Sequence, residues 1–99
     1  MADQEDKIVG TQSQITLICD SLRELLLEKN KRYGDSAINP KRVFSQLSHE
    51  EGIKIRLDDK LSRIMNSHDI RKNDVADLMG YLVLLCVAKD WTGFEEFID

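Results

Sequence analysis

Residues 29–36, Lys-Asn-Lys-Arg-Tyr-Gly-Asp-Ser, bring cations, hydrogen-bond donors and a permissive glycine together at the end of an apolar helical pattern. Lysine and arginine suit phosphate oxygens, with Arg32 offering a planar fork where Lys29 offers a point charge. Tyr33 can stack on a base, Gly34 lets the backbone approach closely, and Ser36 adds a hydroxyl. A nucleotide satisfies all of these groups. The candidate ligand set is therefore Lys29, Arg32, Tyr33, Gly34, Asp35 and Ser36, joined by Lys54, Arg56 and Tyr81 from later in the chain. The competing reading is a basic last turn that complements the helix dipole and stops at Gly34.

A second constellation is Asp74, Asp77 and Tyr81, spaced i, i+3 and i+7 on one side of an apolar helix. Carboxylates there are costly unless they meet cations, hold a metal or stay in a solvated first turn. A third runs through residues 54–60, where Lys54 and Asp58 are helical neighbours, as are Asp59 and Arg63. If Asp58 or Asp59 faced Asp74 and Asp77, the four carboxylates would suit Mg²⁺, the one cofactor the sequence brings forward. A surface ladder of opposite charges is the alternative. His49 and His68 have no partner at ligand spacing and read as solvated. No P-loop, dinucleotide fingerprint or nucleophile elbow occurs.

The elements that must position these groups are helical. Ile15, Ile18, Leu22, Leu25 and Leu26 recur at helical spacing from residue 11 or 13 onward, and Gly34 ends that helix. Residues 1–10 have no helical period and read as a flexible arm, leaving 11–99 as a single helical domain. Asn39 and Pro40 predict a short helix over 40–47, with Val43, Phe44 and Leu47 inward. Ser48 and Glu51 form a capping box for a helix through residue 65, striped by Ile53, Leu57, Leu61 and Ile64. Asn73 is placed to cap a last helix, apolar nearly all round over 78–88. The expected fold is all-α, a compact bundle of about four helices with a buried C-terminal helix. A helix with no solvent face in so short a chain argues for a homo-oligomer, with Trp91, Phe94, Phe97 and Ile98 as covering surface.

Composition narrows the function classes. At 99 residues, 41% hydrophobic and 32% charged, the chain has the size and balance of one globular domain. Its acidic start lacks a secretory signal, and its longest apolar run, 82–88, is about a third of a membrane span, so a cytoplasmic location is expected and no membrane partner. Cys19 and Cys86 sit in apolar helical patterns as buried, reduced thiols. A net charge of −4 disfavours long nucleic acid, yet Lys29, Lys31, Arg32, Lys41 and Arg42 make a local basic cluster that suits a small anion.

In combined order, Lys29-x-x-x-Tyr33-Gly34-Asp35-Ser36, then residues 55–61 (Ile-Arg-Leu-Asp-Asp-Lys-Leu), then Asp74-x-x-Asp77-Leu78-x-Gly80-Tyr81-Leu82 resemble the nucleotide-modification-associated domain one family of small phage and bacterial helical proteins. The resemblance covers most of the chain and implies a link to nucleotides. Asp74-x-x-Asp77 is also distantly similar to the second acidic motif of MazG-like all-α nucleoside triphosphate pyrophosphatases. The first motif departs, since Asp58-Asp59 or Glu24-x-x-x-Glu28 stands where that family has Glu-x-x-Glu.

The leading expectation is a nucleotide-binding protein that takes up, and sequesters, a phosphorylated nucleotide or nucleotide-derived signal, acting in the host cytoplasm if phage-encoded. The alternatives are a Mg²⁺-dependent pyrophosphatase using Asp58, Asp59, Asp74 and Asp77, and a helical adaptor binding a protein through Trp91 and Phe94. The nucleotide reading requires the cationic turn and the aspartates of the last helix to converge on one cavity.

Overall fold

A computed structural model of the chain describes residues 2–40, 42 and 45–99, and for residues 2–9 the backbone alone. The protein is all-α: three α-helices, α1 (Ala2–Tyr33), α2 (His49–Asn66) and α3 (Lys72–Ala88), and a short 3₁₀ turn, Glu95–Phe97, with no strand among the described residues. None of the helices is long and apolar enough to cross a membrane. The chain divides into two compact units, Met1–Arg32 and Tyr33–Asp99, and each is described by itself.

The first unit is α1. Its backbone is helical from Ala2, thirteen residues ahead of Ile15, the first periodic apolar side chain, and through the segment expected to be an arm. Asp20 pairs with Arg23 at 3.7 Å and Glu28 with Arg32 at 3.0 Å, spacings that helical neighbours close naturally. Ile15, Ile18 and Leu25 are exposed, as is Cys19, which is therefore not the buried thiol its apolar surroundings suggested. The helix stops where Gly34 and Asp35 both take left-handed backbone, with φ of 63° and 61°.

The second unit is a helical hairpin in which α2 packs against α3. Ser48 caps α2, its hydroxyl accepting from the Glu51 N–H at 3.2 Å, as the capping-box spacing predicts. The hairpin is antiparallel and is held near both ends by charge. Close to the connecting loop, the Lys60 ammonium lies 3.0 Å from Asp77. At the far end, Glu50 reaches Lys89 at 3.1 Å. Between them Ile53 is the one buried apolar side chain among the described residues, at 3% exposure.

Several boundaries differ from the sequence expectation. Lys41, Val43 and Phe44 lie outside the described residues, and the described remainder of 40–47 is irregular, not helical. Asn39 caps no helix; its amide donates to the Asp35 carboxylate at 2.7 Å. α3 starts at Lys72 with Arg71 at its cap and no side-chain cap hydrogen bond, so Asn73 lies inside the first turn. α3 is half-buried within one chain, with Leu82, Val83 and Val87 exposed.

The end of α3 is closed by two backbone hydrogen bonds, Trp91 N–H to Cys86 at 2.8 Å and Asp90 N–H to Val87 at 3.1 Å. These form a Schellman motif whose left-handed position, usually glycine, is Asp90 at φ 64°. An L residue there costs roughly 1–2 kcal/mol that glycine does not. Asp90→Gly should therefore raise stability by about 1 kcal/mol, read as a higher urea midpoint with unchanged slope.

The Glu50 clamp gives the hairpin an acid limit. Hydrogen bonds from Lys89 first and Lys54 second hold the Glu50 carboxyl below its ordinary value of 4.5. A lowered folded value means that the clamp contributes fully above pH 4.5 and is lost as pH falls through the folded value. Thermal stability should drop below pH 4.5 more steeply in the natural protein than in Glu50→Gln, the two curves being compared across an acid series.

Candidate functional site

One face of α2 supplies most of the site. His49, Gly52, Ile53 and Arg56 recur at helical spacing, so they project along the same side of the helix, and together they line a hollow of about 150 Å³. Tyr81 of α3 forms another wall, and Ser36, Ala37, Pro40 and Arg42 close it from the irregular segment ahead of α2. All nine residues belong to the second unit. Buried Ile53 is its apolar base, and Tyr81 is half-buried.

The irregular segment is held by polar bonds in place of helical ones. The Asp35 carbonyl accepts from the Ile38 and Asn39 N–H groups at 3.2 and 2.8 Å, and these bonds fix the turn that carries Ser36. Arg42 is pinned by its own guanidinium, Nε donating to the Leu47 carbonyl at 3.2 Å and Nη2 to the Ser48 carbonyl at 3.5 Å. These carbonyls take two of its five N–H donors and leave its charge uncompensated. Arg56 is exposed, and among the described residues neither Arg42 nor Arg56 is in an ion pair.

Of the nine candidate ligand residues, Ser36, Arg56 and Tyr81 come together at this hollow. Gly34 and Asp35 shape the turn before it, and Tyr33 stands 66% exposed outside the lining. Lys54 also lies outside, its ammonium 3.2 Å from Glu50 and 3.3 Å from Glu51. Those carboxylates raise its pKa above the ordinary 10.5, the Glu50 hydrogen bond contributing most. Lys29 and Arg32 are on α1 in the first unit.

The aspartates do not join the lining, so the expected convergence of the cationic turn and the aspartates of α3 on one cavity is not met at this hollow, and an anion-binding reading rests here on Arg42 and Arg56 instead. Asp77 meets the Lys60 ammonium, the cationic partner that its place on an apolar helix calls for. Asp74, 4% exposed, sits in the first turn of α3, where a negative charge suits the helix dipole. Asp58 and Asp59 are exposed on α2. Among the described residues no three His, Cys, Asp or Glu side chains gather at metal-holding distance.

Six lining residues, Ala37, Pro40, Arg42, His49, Gly52 and Ile53, were not in the candidate set, and two of them, Arg42 and His49, have polar side chains. Arg42 stood in the basic cluster of the sequence, but its link to the site depends on carbonyls of a segment without regular structure. His49 was judged by its distance in sequence from other metal ligands, whereas its place at the first position of α2 brings it beside Arg42 and Arg56. Among the described residues the wall includes two arginines, a histidine, a tyrosine and a serine, and no Asp or Glu, on a chain of net charge −4. Such a wall accepts hydrogen-bonding anions, above all the planar oxygen pairs of phosphate or carboxylate. Comparison with protein-family models, curated proteins and solved structures finds no match to the chain.

Proposed function

We propose that this protein is a nucleotide-binding module that takes the phosphate of a nucleotide or nucleotide-derived signal at the hollow formed by Ser36, Arg42, His49, Arg56 and Tyr81. The observation that carries the reading is that Arg42 and Arg56 line one cavity and that, among the described residues, neither is in an ion pair with a carboxylate. The cavity volume, about 150 Å³, is half the lower bound of ordinary small-molecule pockets, roughly 300 Å³. It matches one phosphate group or one ring, so the remainder of a nucleotide extends beyond it. The nucleotide, in preference to another phosphate compound, follows from the resemblance to the nucleotide-modification-associated family. The same resemblance suggests stoichiometric capture of a host signal by a phage protein.

The reading includes a homo-oligomer in which the exposed apolar surfaces are covered. Ile15, Ile18 and Leu25 of α1, Leu82, Val83 and Val87 of α3, and Phe94, Phe97 and Ile98 near the end all stand in solvent in a single chain. Among the described residues one apolar side chain is fully buried and others only in part, so association adds burial against the entropy of ordering the helices and gives α3 the buried environment its composition calls for.

Incubating the pure protein with AMP, ADP, ATP and linear and cyclic dinucleotides, then chromatographing before and after heat denaturation, tests the function. Intact nucleotide released only by heating supports capture. Hydrolysis products support an enzyme, and full recovery of free nucleotide before heating overturns the reading. Arg56→Ala should weaken the retained nucleotide by about 1.5–3 kcal/mol, the range for hydrogen bonds to charged groups.

A further inference from the structure

We propose that Gly52 is a positioning residue of this anion site, its missing side chain being the slot in which the Arg42 guanidinium lies. The proposal rests on the reading of the hollow given above and deepens it. Glycine weakens a helix interior relative to alanine, because it has more backbone freedom to lose. Gly52 nevertheless stands in the first turns of α2, its N–H donating to the Ser48 carbonyl at 3.0 Å. It is not among the residues with positive φ, so its backbone is open to any residue.

What excludes a side chain is one neighbour. Outside its chain neighbours and the surrounding helix backbone, a Cβ at Gly52 would meet among the described residues Arg42 Nη2 at 2.9 Å and Arg42 Cζ at 4.0 Å. The same Nη2 donates to the Ser48 carbonyl one turn earlier, so the guanidinium lies along the surface of α2 between that carbonyl and the glycine. Among the described neighbours, the residue type at 52 therefore answers to Arg42. Since Nη2 is the end of a flexible side chain, it yields before the helix does. A methyl group at 52 strengthens α2 and drives Arg42 off its carbonyls, separating the two guanidiniums.

The consequence is a pair of opposite signs, which distinguishes positioning from structural support. Calorimetric titration of the full chain with inorganic pyrophosphate, together with thermal unfolding, reads both. Gly52→Ala should unfold at a higher temperature and bind pyrophosphate roughly tenfold more weakly, as expected when one charge-assisted contact is lost. In an Arg42→Lys background, where a slender ammonium replaces the planar fork, Gly52→Ala should change affinity little. Equal losses in both backgrounds, or a lowered unfolding temperature, would overturn the proposal. Unchanged affinity in Gly52→Ala alongside a loss in Arg56→Ala would also overturn it while leaving the anion site standing. Absence of pyrophosphate binding by the natural protein would remove the site reading and this proposal with it.

Discussion

The antiparallel register of α2 on α3 is the constraint from which the rest of the second unit follows. It is set by Lys60 against Asp77 at one end and Glu50 against Lys89 at the other, with Ile53 packed between. Because α2 turns one face toward α3, the series His49, Gly52, Ile53 and Arg56 is carried to a single side, and Tyr81 meets it from the other helix. With few apolar side chains buried, the two ion pairs have unusual weight in fixing the pairing. Partly buried pairs specify register well even where their net stabilisation is small.

Three cations of the second unit are already answered: Lys54, Lys60 and Lys89 each have a carboxylate within 4 Å. Arg42 gives two of its five N–H donors to backbone carbonyls, and Arg56 lines the same hollow, so positive charge accumulates there on an acidic protein. Field from like charges on a concave wall raises the local concentration of small anions, while the net charge of −4 repels long polyanions.

Helix identity was legible where local chemistry decides it. The Ser48 to Glu51 spacing marked the start of α2 within one residue, and Gly34 marked the end of α1 through its left-handed backbone. The start of α3 was misplaced because Arg71 occupies the cap position without a side-chain hydrogen bond, leaving no cap signal to find. Burial was the least legible property: residues 78–88 read as the centre of a bundle, yet among the described residues of the second unit α2 is the one helix that packs on α3. At the site, Ser36, Arg56 and Tyr81 could be picked by residue type. Arg42, His49 and Gly52 could not, since their roles depend on an irregular segment folding back over the first turns of α2.

An anion-accepting wall built from two guanidiniums is a claim about specific nitrogen atoms. The most direct measurement is therefore an arginine Nε–H nuclear magnetic resonance titration with ADP. The Arg42 and Arg56 signals should shift along one saturation curve while Arg23, paired with Asp20 on α1, stays in place. Shifts of equal size at Arg23, or none at Arg42 and Arg56, would contradict the shared site.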